Sequence, residues 1–262
     1  MPPMRRRSLP RRVALFLFKW CCIALILSVV WVWLYAFINP PTTLFIIKRK
    51  VAALRNPSIS DKAIYQQWRP YAQLSPQLVL AVIAAEDQTF PFHNGFDFKA
   101  IEEAIAHNKT QVGKKKIRIK GASTISQQTA KNVFLWEGRD WVRKGLETYF
   151  TLLIETFWSK ERILEVYLNV AETGDRVFGA EAAAKIYFRK TAQQLNADEA
   201  ALIAACLPNP RLYSPVKPIK YVTDRKKWIM RQAKAMGGTA FLSAVSTPKP
   251  NPTPPKTAKD MP

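Results

Sequence analysis

The chain has 262 residues, enough for one good-sized domain once its ends are set aside but short for two. Its 9 glycines and the lack of a GxGxxG or GxxxxGK[ST] string argue against a nucleotide-binding fold, and three cysteines are too few for a disulfide framework. The formal charge of +21 predicts an anionic partner, which leaves nucleic acid, acidic lipid and a phosphorylated substrate as candidates.

An uncharged, apolar run covers residues 20–38 and is about long enough to cross a bilayer core of ~30 Å. Residues 1–19 are basic and contain no acid, so the positive-inside rule predicts a cytoplasmic N-terminus, although basic residues after the span weaken the asymmetry. A cleaved signal peptide is the competing interpretation. It is disfavoured because the run ends in Ala-Phe-Ile-Asn-Pro-Pro, without a small-residue cleavage site.

The rest of the chain divides into three parts by composition. Residues 39–60 contain prolines and basic side chains but no acid, which predicts a juxtamembrane connector held against anionic headgroups. Residues 61–236 carry the folded domain. Residues 237–262 are rich in Pro, Thr and Lys, and we predict a disordered tail there because they bury too little apolar surface to fold.

Within the folded part, apolar residues recur at spacings of three and four, which predicts a mainly α domain. The clearest helices are predicted at Leu78–Glu86, Trp141–Trp158, Lys160–Ala171 and Asn196–Leu207. A capping box of Asn196 and Glu199 opens the last of these, and Pro208 closes it.

The first chemical motif starts at Glu86-Asp87, directly after the apolar run LVLAVIAA, and continues through Phe90, His93 and Gly95. A buried helix that delivers a carboxylate to a loop can raise its pKa through desolvation, so Glu86 is a candidate general base. The alternative is a solvated carboxylate pair at a helix end, which is the commoner case on composition alone.

The second motif, residues 121–135, is rich in hydroxyls and amides and includes Ser123 and Asn132. In a helix, Thr124, Gln128 and Lys131 fall along one face, where a hydroxyl-rich N-terminus and an ammonium can cradle phosphate oxygens. An ordinary capped helix with a solvated polar face is an equally good interpretation. The basic run between Lys114 and Lys120 is typical of a solvated loop.

The third motif places Arg143, Lys144 and Glu147 within one helical turn of each other. Alone it is a routine helical ion pair, whereas in a site it would supply cations to a leaving diphosphate. Further on, Glu165 and Asn169 are one turn apart, and we expect them to be inward-facing polar anchors.

Together and in this order, these stretches resemble the peptidoglycan glycosyltransferases of family 51, particularly the monofunctional biosynthetic transglycosylases. The patterns ED-x-x-F-x-x-H-x-G-x-D, G-x-S-T-x-x-QQ-x-x-KN, RK-x-x-E and K-x-x-ILE-x-YLN are all present, and the resemblance spans roughly Leu78 to Pro215. One departure is Arg189, where members often carry Gly, and a local backbone difference is expected there.

The resemblance implies a mainly α, lysozyme-like domain with one N-terminal transmembrane helix and a membrane-adjacent lobe that admits the lipid. It implies that Glu86 takes the proton from the acceptor 4-hydroxyl, which attacks the anomeric carbon of the growing chain with inversion. Lipid II is then polymerised into β-1,4-linked strands and undecaprenyl diphosphate is released. Lys131, Arg143 and Lys144 would stabilise the leaving diphosphate, with Glu147 as a second catalytic acid that places them or holds a divalent cation.

Further expectations follow from the same resemblance. The substrate-binding residues would be Asp87, Phe90, His93, Gly95, Ser123, Thr124, Gln128, Lys131, Asn132, Arg143 and Lys144. No cofactor is required, although Mg or Mn is allowed. The expected partners are lipid II, the growing strand, membrane lipids and cell-wall synthesis or division proteins, but not nucleic acid. The catalytic domain would stand on the periplasmic side of the inner membrane.

Two rival functions remain open. A lytic enzyme of lysozyme-like fold would cleave glycan with the same kind of acid but needs no diphosphate clamp. A membrane-tethered basic adaptor would explain the charge of +21 without ordered carboxylates. The SxxK matches at Ser214 and Ser246 contain proline and lack a following KTG, so we expect no transpeptidase activity and no inhibition by penicillin.

Overall fold

The computed structural model describes residues 9–55, 64–111, 121–138 and 140–247, and these residues are mainly α-helical, as predicted. The helices are α1 (Leu9–Leu34), α2 (Leu44–Arg55), α3 (Pro76–Glu86), α4 (Phe98–Lys109), α5 (Ile125–Phe134), α6 (Trp141–Phe157), α7 (Lys160–Val170), α8 (Ala180–Phe188), α9 (Ala197–Cys206), α10 (Lys220–Ala235) and α11 (Ser243–Ser246). Strands β1 (Tyr65–Gln66), β2 (Glu172–Gly174) and β3 (Val177–Phe178) form a small sheet in the order β1-β3-β2, with β1 parallel and β2 antiparallel to β3.

The predicted span is a helix, but its bounds differ from the predicted 20–38. Within α1, the stretch long and apolar enough to cross a membrane is Arg12–Leu34. The helix begins earlier because Pro10 is compatible with a first helical turn, and the long side chain of Lys19 can reach an interface from within the helix. It ends at Leu34, where the chain enters a turn ahead of two prolines.

The C-terminal part of α1 packs against the helical domain. The Ser28 hydroxyl lies 2.8 Å from the Tyr149 hydroxyl, and the Trp158 indole N–H donates to the Val32 carbonyl at 2.8 Å. The Arg162 guanidinium donates to two carbonyl oxygens just beyond the end of α1, at 3.0 and 2.9 Å. These polar contacts fix the domain against the C-terminal end of the candidate membrane span.

The predicted juxtamembrane connector, residues 39–60, contains a helix that was not predicted from the sequence. α2 covers Leu44–Arg55 and contributes a buried Ile46 to the domain. A run of Leu, Phe, Ile, Val and Ala at helical spacing explains why this segment forms a helix. Residues 56–63 lie outside the described residues.

The core is built around α3, whose residues from Leu78 to Ala84 are all buried. α3 packs against α9 and α10, while α5 packs against α6 and α7. α9 approaches closely because its buried face is made largely of alanines. It opens with the predicted capping box, in which Asn196 and Glu199 each accept the other's backbone N–H at 3.0 Å.

The predicted inward anchors on α7 are confirmed. Asn169 is fully buried, accepts from the Arg69 N–H at 2.7 Å and donates to the Arg69 carbonyl at 2.8 Å. Glu165 accepts from the Tyr71 N–H at 2.8 Å. Together they tie down the segment that leads into the N-terminus of α3.

The folded region extends past the predicted boundary at residue 237. A 3-10 helix at Gly238–Leu242 is followed by α11, and Val245 is almost fully buried. Phe241 packs edge-on against Phe92, with ring centroids 5.9 Å apart. The apolar residues at 240–245 supply the burial that the Pro-rich sequence after them lacks. Residues 248–262 lie outside the described residues.

Arg189 ends α8 in the left-handed conformation, with φ 57°. A side chain there costs about 1–2 kcal/mol, partly offset by the flexibility that glycine adds to the unfolded chain. Arg189→Gly should therefore raise the free energy of unfolding by roughly 1 kcal/mol. The measurement is the thermal midpoint of unfolding in detergent, which should rise. Lys185→Gly, within α8, should lower it, and an unchanged or lower midpoint for Arg189→Gly would contradict this account of the helix end.

Candidate active site

The carboxylate of Glu86 lies at the C-terminal end of α3, where the buried helix meets a cleft. Its Oε2 accepts a hydrogen bond from the Gln128 side-chain amide at 3.0 Å. Its Oε1 is 3.4 Å from the Arg225 guanidinium, which also donates to the Ala85 carbonyl at 3.2 Å. Only 15% of the Glu86 side chain is exposed, so the carboxylate is largely withdrawn from water.

Burial raises the pKa of Glu86 above its ordinary value. The Gln128 hydrogen bond and the Arg225 charge partly oppose this shift, and the neighbouring Asp87 carboxylate adds to it. The structure therefore favours the base interpretation over a solvated carboxylate pair. A carboxylate with a raised pKa is a stronger proton acceptor when it is ionised.

Asp87 and His93 connect the end of α3 to the start of α5. Asp87 Oδ2 accepts from the Ile125 N–H at 2.9 Å, and His93 Nε2 lies 3.0 Å from Asp87 Oδ1. The Gly95 N–H donates to His93 Nδ1 at 3.1 Å, so in the neutral ring Nε2 carries the proton and donates to Asp87. These contacts position Glu86; direct contact of Asp87 and His93 with substrate stays a prediction.

Gly95 and Thr124 bring the same loop against α5. Gly95 has φ +90°, and a Cβ there would lie 2.7 Å from Thr151 Cγ2, so a larger residue would displace α6. The Thr124 hydroxyl donates to the Gly95 carbonyl at 2.6 Å and also caps α5 in a capping box with Gln127. Thr124 is buried in this role, whereas Ser123 just before it is exposed.

The position of Phe90 differs from what was expected of a substrate-binding residue. It is fully buried, with the Lys160 ammonium 4.4 Å from its ring centroid. Lys160 also donates to the His93 carbonyl at 2.6 Å and to Glu155 at 2.8 Å. Because Phe90 has no exposed surface, it stabilises the loop by packing and does not contact substrate in this conformation.

A cleft of about 620 Å³ runs along α5, and Gln128, which bonds Glu86, connects Glu86 to its lining. Gln128, Lys131 and Asn132 line it together with Tyr167, whose hydroxyl donates to the Gln128 side-chain oxygen at 3.2 Å. The Gln128 amide is thereby oriented with its N–H toward Glu86. Of the predicted face, Gln128 and Lys131 lie in the cleft, whereas Thr124 lies at the buried end of the helix.

The three predicted cations gather near this cleft around one buried carboxylate. The Arg143 guanidinium donates to Glu147 Oε2 at 2.6 Å, and the Lys144 ammonium bonds the other oxygen. Burial lowers the pKa of Lys131; Glu147 opposes the shift, while Arg143 and Lys144 add repulsion. The cluster has more cations than anions, and Arg143 Nε is buried without a hydrogen-bond partner among the described residues.

Both oxygens of Glu147, the predicted metal-binding acid, are bonded to cations in this arrangement. The described part of the chain contains no group of three or more His, Cys, Asp or Glu that could hold a metal ion. The use of Mg or Mn with the substrate stays a prediction.

An ion network that was not predicted from sequence lies along the cleft rim and ties α2 to the domain. Lys48 pairs with Glu137 at 2.7 Å and Arg49 with Glu172 at 3.2 Å. Arg211 bridges the two acids, at 2.9 and 3.0 Å. No local pattern indicates these pairs, nor the pairing of Arg225 with Glu86, because the partners are far apart in sequence. The basic run at 114–120 lies outside the described residues.

Sequence comparison matches residues 54–234 to the protein family described as Transglycosylase. The chain belongs to the transglycosylase family. Proteins named biosynthetic peptidoglycan transglycosylase from Salmonella paratyphi B and Salmonella typhi are each 52% identical over 210 residues, covering 80% of this chain and 85% of theirs. The protein of that name from Salmonella enteritidis is 51% identical over the same shares. The protein is thus a peptidoglycan glycosyltransferase, as its motifs predicted.

In this transglycosylase, Arg225 should set the pH range over which Glu86 is ionised. Its charge lowers the Glu86 pKa, so Arg225→Met should raise that pKa and move the acidic limb of the pH–rate profile to higher pH. Activity is then lost first at low pH and recovers as pH rises. The profile of glycan synthesis measures this, with the exposed Lys227→Met as a charge-matched control; an acidic limb that stays in place would contradict the role.

Proposed function

We propose that the protein polymerises lipid II into β-1,4-linked glycan strands, with inversion at the anomeric carbon and release of undecaprenyl diphosphate. One observation carries the proposal: α5 joins the candidate base to the cation cluster. Gln128 bonds Glu86, and Lys131, one turn further along the same helix, stands beside Arg143 and the other cluster residues. A sugar hydroxyl and a leaving diphosphate can therefore be held in one cleft.

In the proposed reaction, ionised Glu86 takes the proton from the acceptor 4-hydroxyl. That oxygen forms a bond to the anomeric carbon while the bond from this carbon to the diphosphate oxygen breaks, and the electron pair leaves with the diphosphate. Attack from the opposite face inverts the configuration. The protonated Glu86 then returns its proton to solvent before the next cycle.

The cation cluster supplies the electrostatic part of the mechanism. Arg143 is buried and Lys131 and Lys144 are partly buried, and the three cations repel each other without substrate. Arg143 Nε–H is a buried donor that has no partner among the described residues. A bound diphosphate relieves the repulsion between the cations and accepts from the unpaired donor. The stabilisation is strongest in the transition state, when charge develops on the departing diphosphate. Glu147 acts through Arg143 and Lys144 as a positioning residue. No resident cofactor is needed, and Mg or Mn would arrive with the diphosphate.

The membrane arrangement supports the same proposal. With the basic N-terminus in the cytoplasm, α1 crosses the inner membrane once and places the domain on its periplasmic side. The polar contacts of Ser28 and Val32 with the domain then keep the cleft close to the membrane surface. A substrate that is itself anchored in the membrane needs such an arrangement.

The rivals predict different products. A lytic enzyme has no use for Lys131, Arg143 and Lys144 around a diphosphate, and it would release muropeptides from purified sacculi. An adaptor would bind nucleic acid or acidic vesicles equally well without Glu86. We also propose that the strands are not cross-linked. In the first SxxK match, Lys217 is exposed, and the contact with the Ser214 hydroxyl, at 3.4 Å, is made by the Lys217 backbone N–H.

Glu86→Gln should lower the rate of polymer formation from lipid II by roughly 10²–10⁴-fold, because a positioned base contributes that much and an amide accepts no proton. Gel analysis of radiolabelled or fluorescent product measures this. Glu102→Gln, an exposed carboxylate on α4, should retain the native rate. Equal polymer from the native protein and Glu86→Gln would exclude Glu86 as the base.

Lys131→Met should lower kcat by roughly 10²–10³-fold, because it removes one charge from the group that stabilises the leaving diphosphate. Steady-state rates with lipid II measure the effect, and Lys99→Met, exposed on α4, is the charge-matched control. A rise in KM with unchanged kcat would place Lys131 in ground-state binding and contradict its role in the transition state.

A further inference from the structure

A chain of hydrogen bonds connects a buried tyrosine to the candidate base. The Tyr167 hydroxyl donates to the Gln128 side-chain oxygen at 3.2 Å, and the Gln128 side-chain nitrogen donates to Glu86 Oε2 at 3.0 Å. Tyr167 belongs to the wall of the catalytic cleft but is only 1% exposed. One amide group therefore stands between the phenol and the carboxylate, with its oxygen toward the first and its nitrogen toward the second.

The position of the Tyr167 hydroxyl is fixed by its helix. α7 packs against α5, and the inward anchors Glu165 and Asn169 hold α7 on either side of Tyr167. Burial raises the pKa of Tyr167 well above its ordinary value, so the hydroxyl keeps its proton and remains a donor. In the described part of the chain, the Gln128 oxygen is the one acceptor that this hydroxyl bonds. Loss of that contact would leave a buried donor unpaired.

A side-chain amide can also take the opposite orientation, with the positions of its oxygen and nitrogen exchanged. In that orientation the Gln128 oxygen would face Glu86. It would accept a hydrogen bond from a protonated Glu86 carboxyl, whereas it would repel an ionised carboxylate. The same rotation would leave the buried Tyr167 proton without an acceptor among the described residues, which is costly. Tyr167 therefore disfavours the amide orientation that suits protonated Glu86.

We propose that Tyr167 is a positioning residue for glycosyl transfer, which holds the Gln128 amide so that it donates to Glu86 and keeps Glu86 in its ionised form. This inference rests on the proposed function, in which ionised Glu86 accepts the proton of the acceptor hydroxyl. The hydroxyl of Tyr167 acts through Gln128 and takes no part in the reaction itself. Its loss should change the fraction of molecules that carry ionised Glu86 at a given pH, and not the rate at which those molecules react.

The charged groups that face Glu86 lie on three helices. Arg225 on α10 and Lys131 on α5 favour the ionised carboxylate, whereas Asp87 at the end of α3 opposes it. Tyr167 is the titratable group that α7 presents, and it stays neutral. α9 also packs on α3, through a face made largely of alanines. A variant that removes only the Tyr167 hydroxyl leaves these charges in place, so a change in Glu86 ionisation can be assigned to the amide.

The test uses Tyr167→Phe, which keeps the ring and removes the hydroxyl. The amide can then rotate, the protonated form of Glu86 gains a partner, and the Glu86 pKa rises. The acidic limb of the pH profile of kcat/KM for polymer formation should move to higher pH by about one unit. Activity on the limb then falls roughly tenfold and recovers at higher pH. Tyr149→Phe, which removes the hydroxyl that contacts Ser28 at 2.8 Å, should leave the limb in place.

A second comparison shows whether the effect passes through the amide. In Gln128→Met, which has no amide to rotate, adding Tyr167→Phe should not move the limb further. The inference is overturned by an unmoved limb in Tyr167→Phe, by a uniform loss of activity at all pH values, or by an equal shift in the Gln128→Met background. An acidic limb and rate that are unchanged in Glu86→Gln would instead refute the proposed base, so the two failures are distinguishable.

Discussion

The site depends on the burial of one carboxylate at the end of an apolar helix. Burying an ionisable group is costly, and the cost is tolerable at Glu86 because Gln128 and Arg225 each supply a hydrogen bond. If both partners were lost, burial would act unopposed by them and raise the pKa of Glu86 further, so that a smaller fraction of the carboxylate would be ionised. If it were fully solvated, the raising effect of burial would be lost and the carboxylate would be a weaker proton acceptor.

Helix α5 connects the surroundings of Glu86 to the rest of the cleft. Its first N–H is held by Asp87, its cap Thr124 reaches the Gly95 carbonyl, and Lys131 in its second turn belongs to the cation cluster. The loop between α3 and α4 is therefore bonded to the helix that carries Lys131. The buried Lys160 and Glu155 support the loop from the side of α6 and α7.

Local sequence was sufficient for the helices, the capping box at Asn196 and the inward anchors on α7, because each depends on spacing within a few residues. The bounds of the span differ from the predicted 20–38, since a periodic pattern does not reveal where lipid gives way to protein. Arg225 was missed for a different reason. It lies on a basic helix typical of solvated surface, 139 residues from its partner, and only the packing of α10 on α3 brings it to Glu86. Phe90 was predicted to bind substrate because it matches a motif, but the motif does not show that its ring is buried.

The base and the cations must be close enough to share a substrate but too far apart to pair with each other. A direct ion pair between Glu86 and Lys131, added to that with Arg225, would lower the carboxylate pKa further and make Glu86 a weaker proton acceptor. Gln128 and Lys131 are three residues apart on α5, a rise of about 4.5 Å, and Gln128 occupies the near oxygen of Glu86. Lys131 is influenced more by Glu147 than by Glu86. The amide of Gln128 thus separates the two charges along α5.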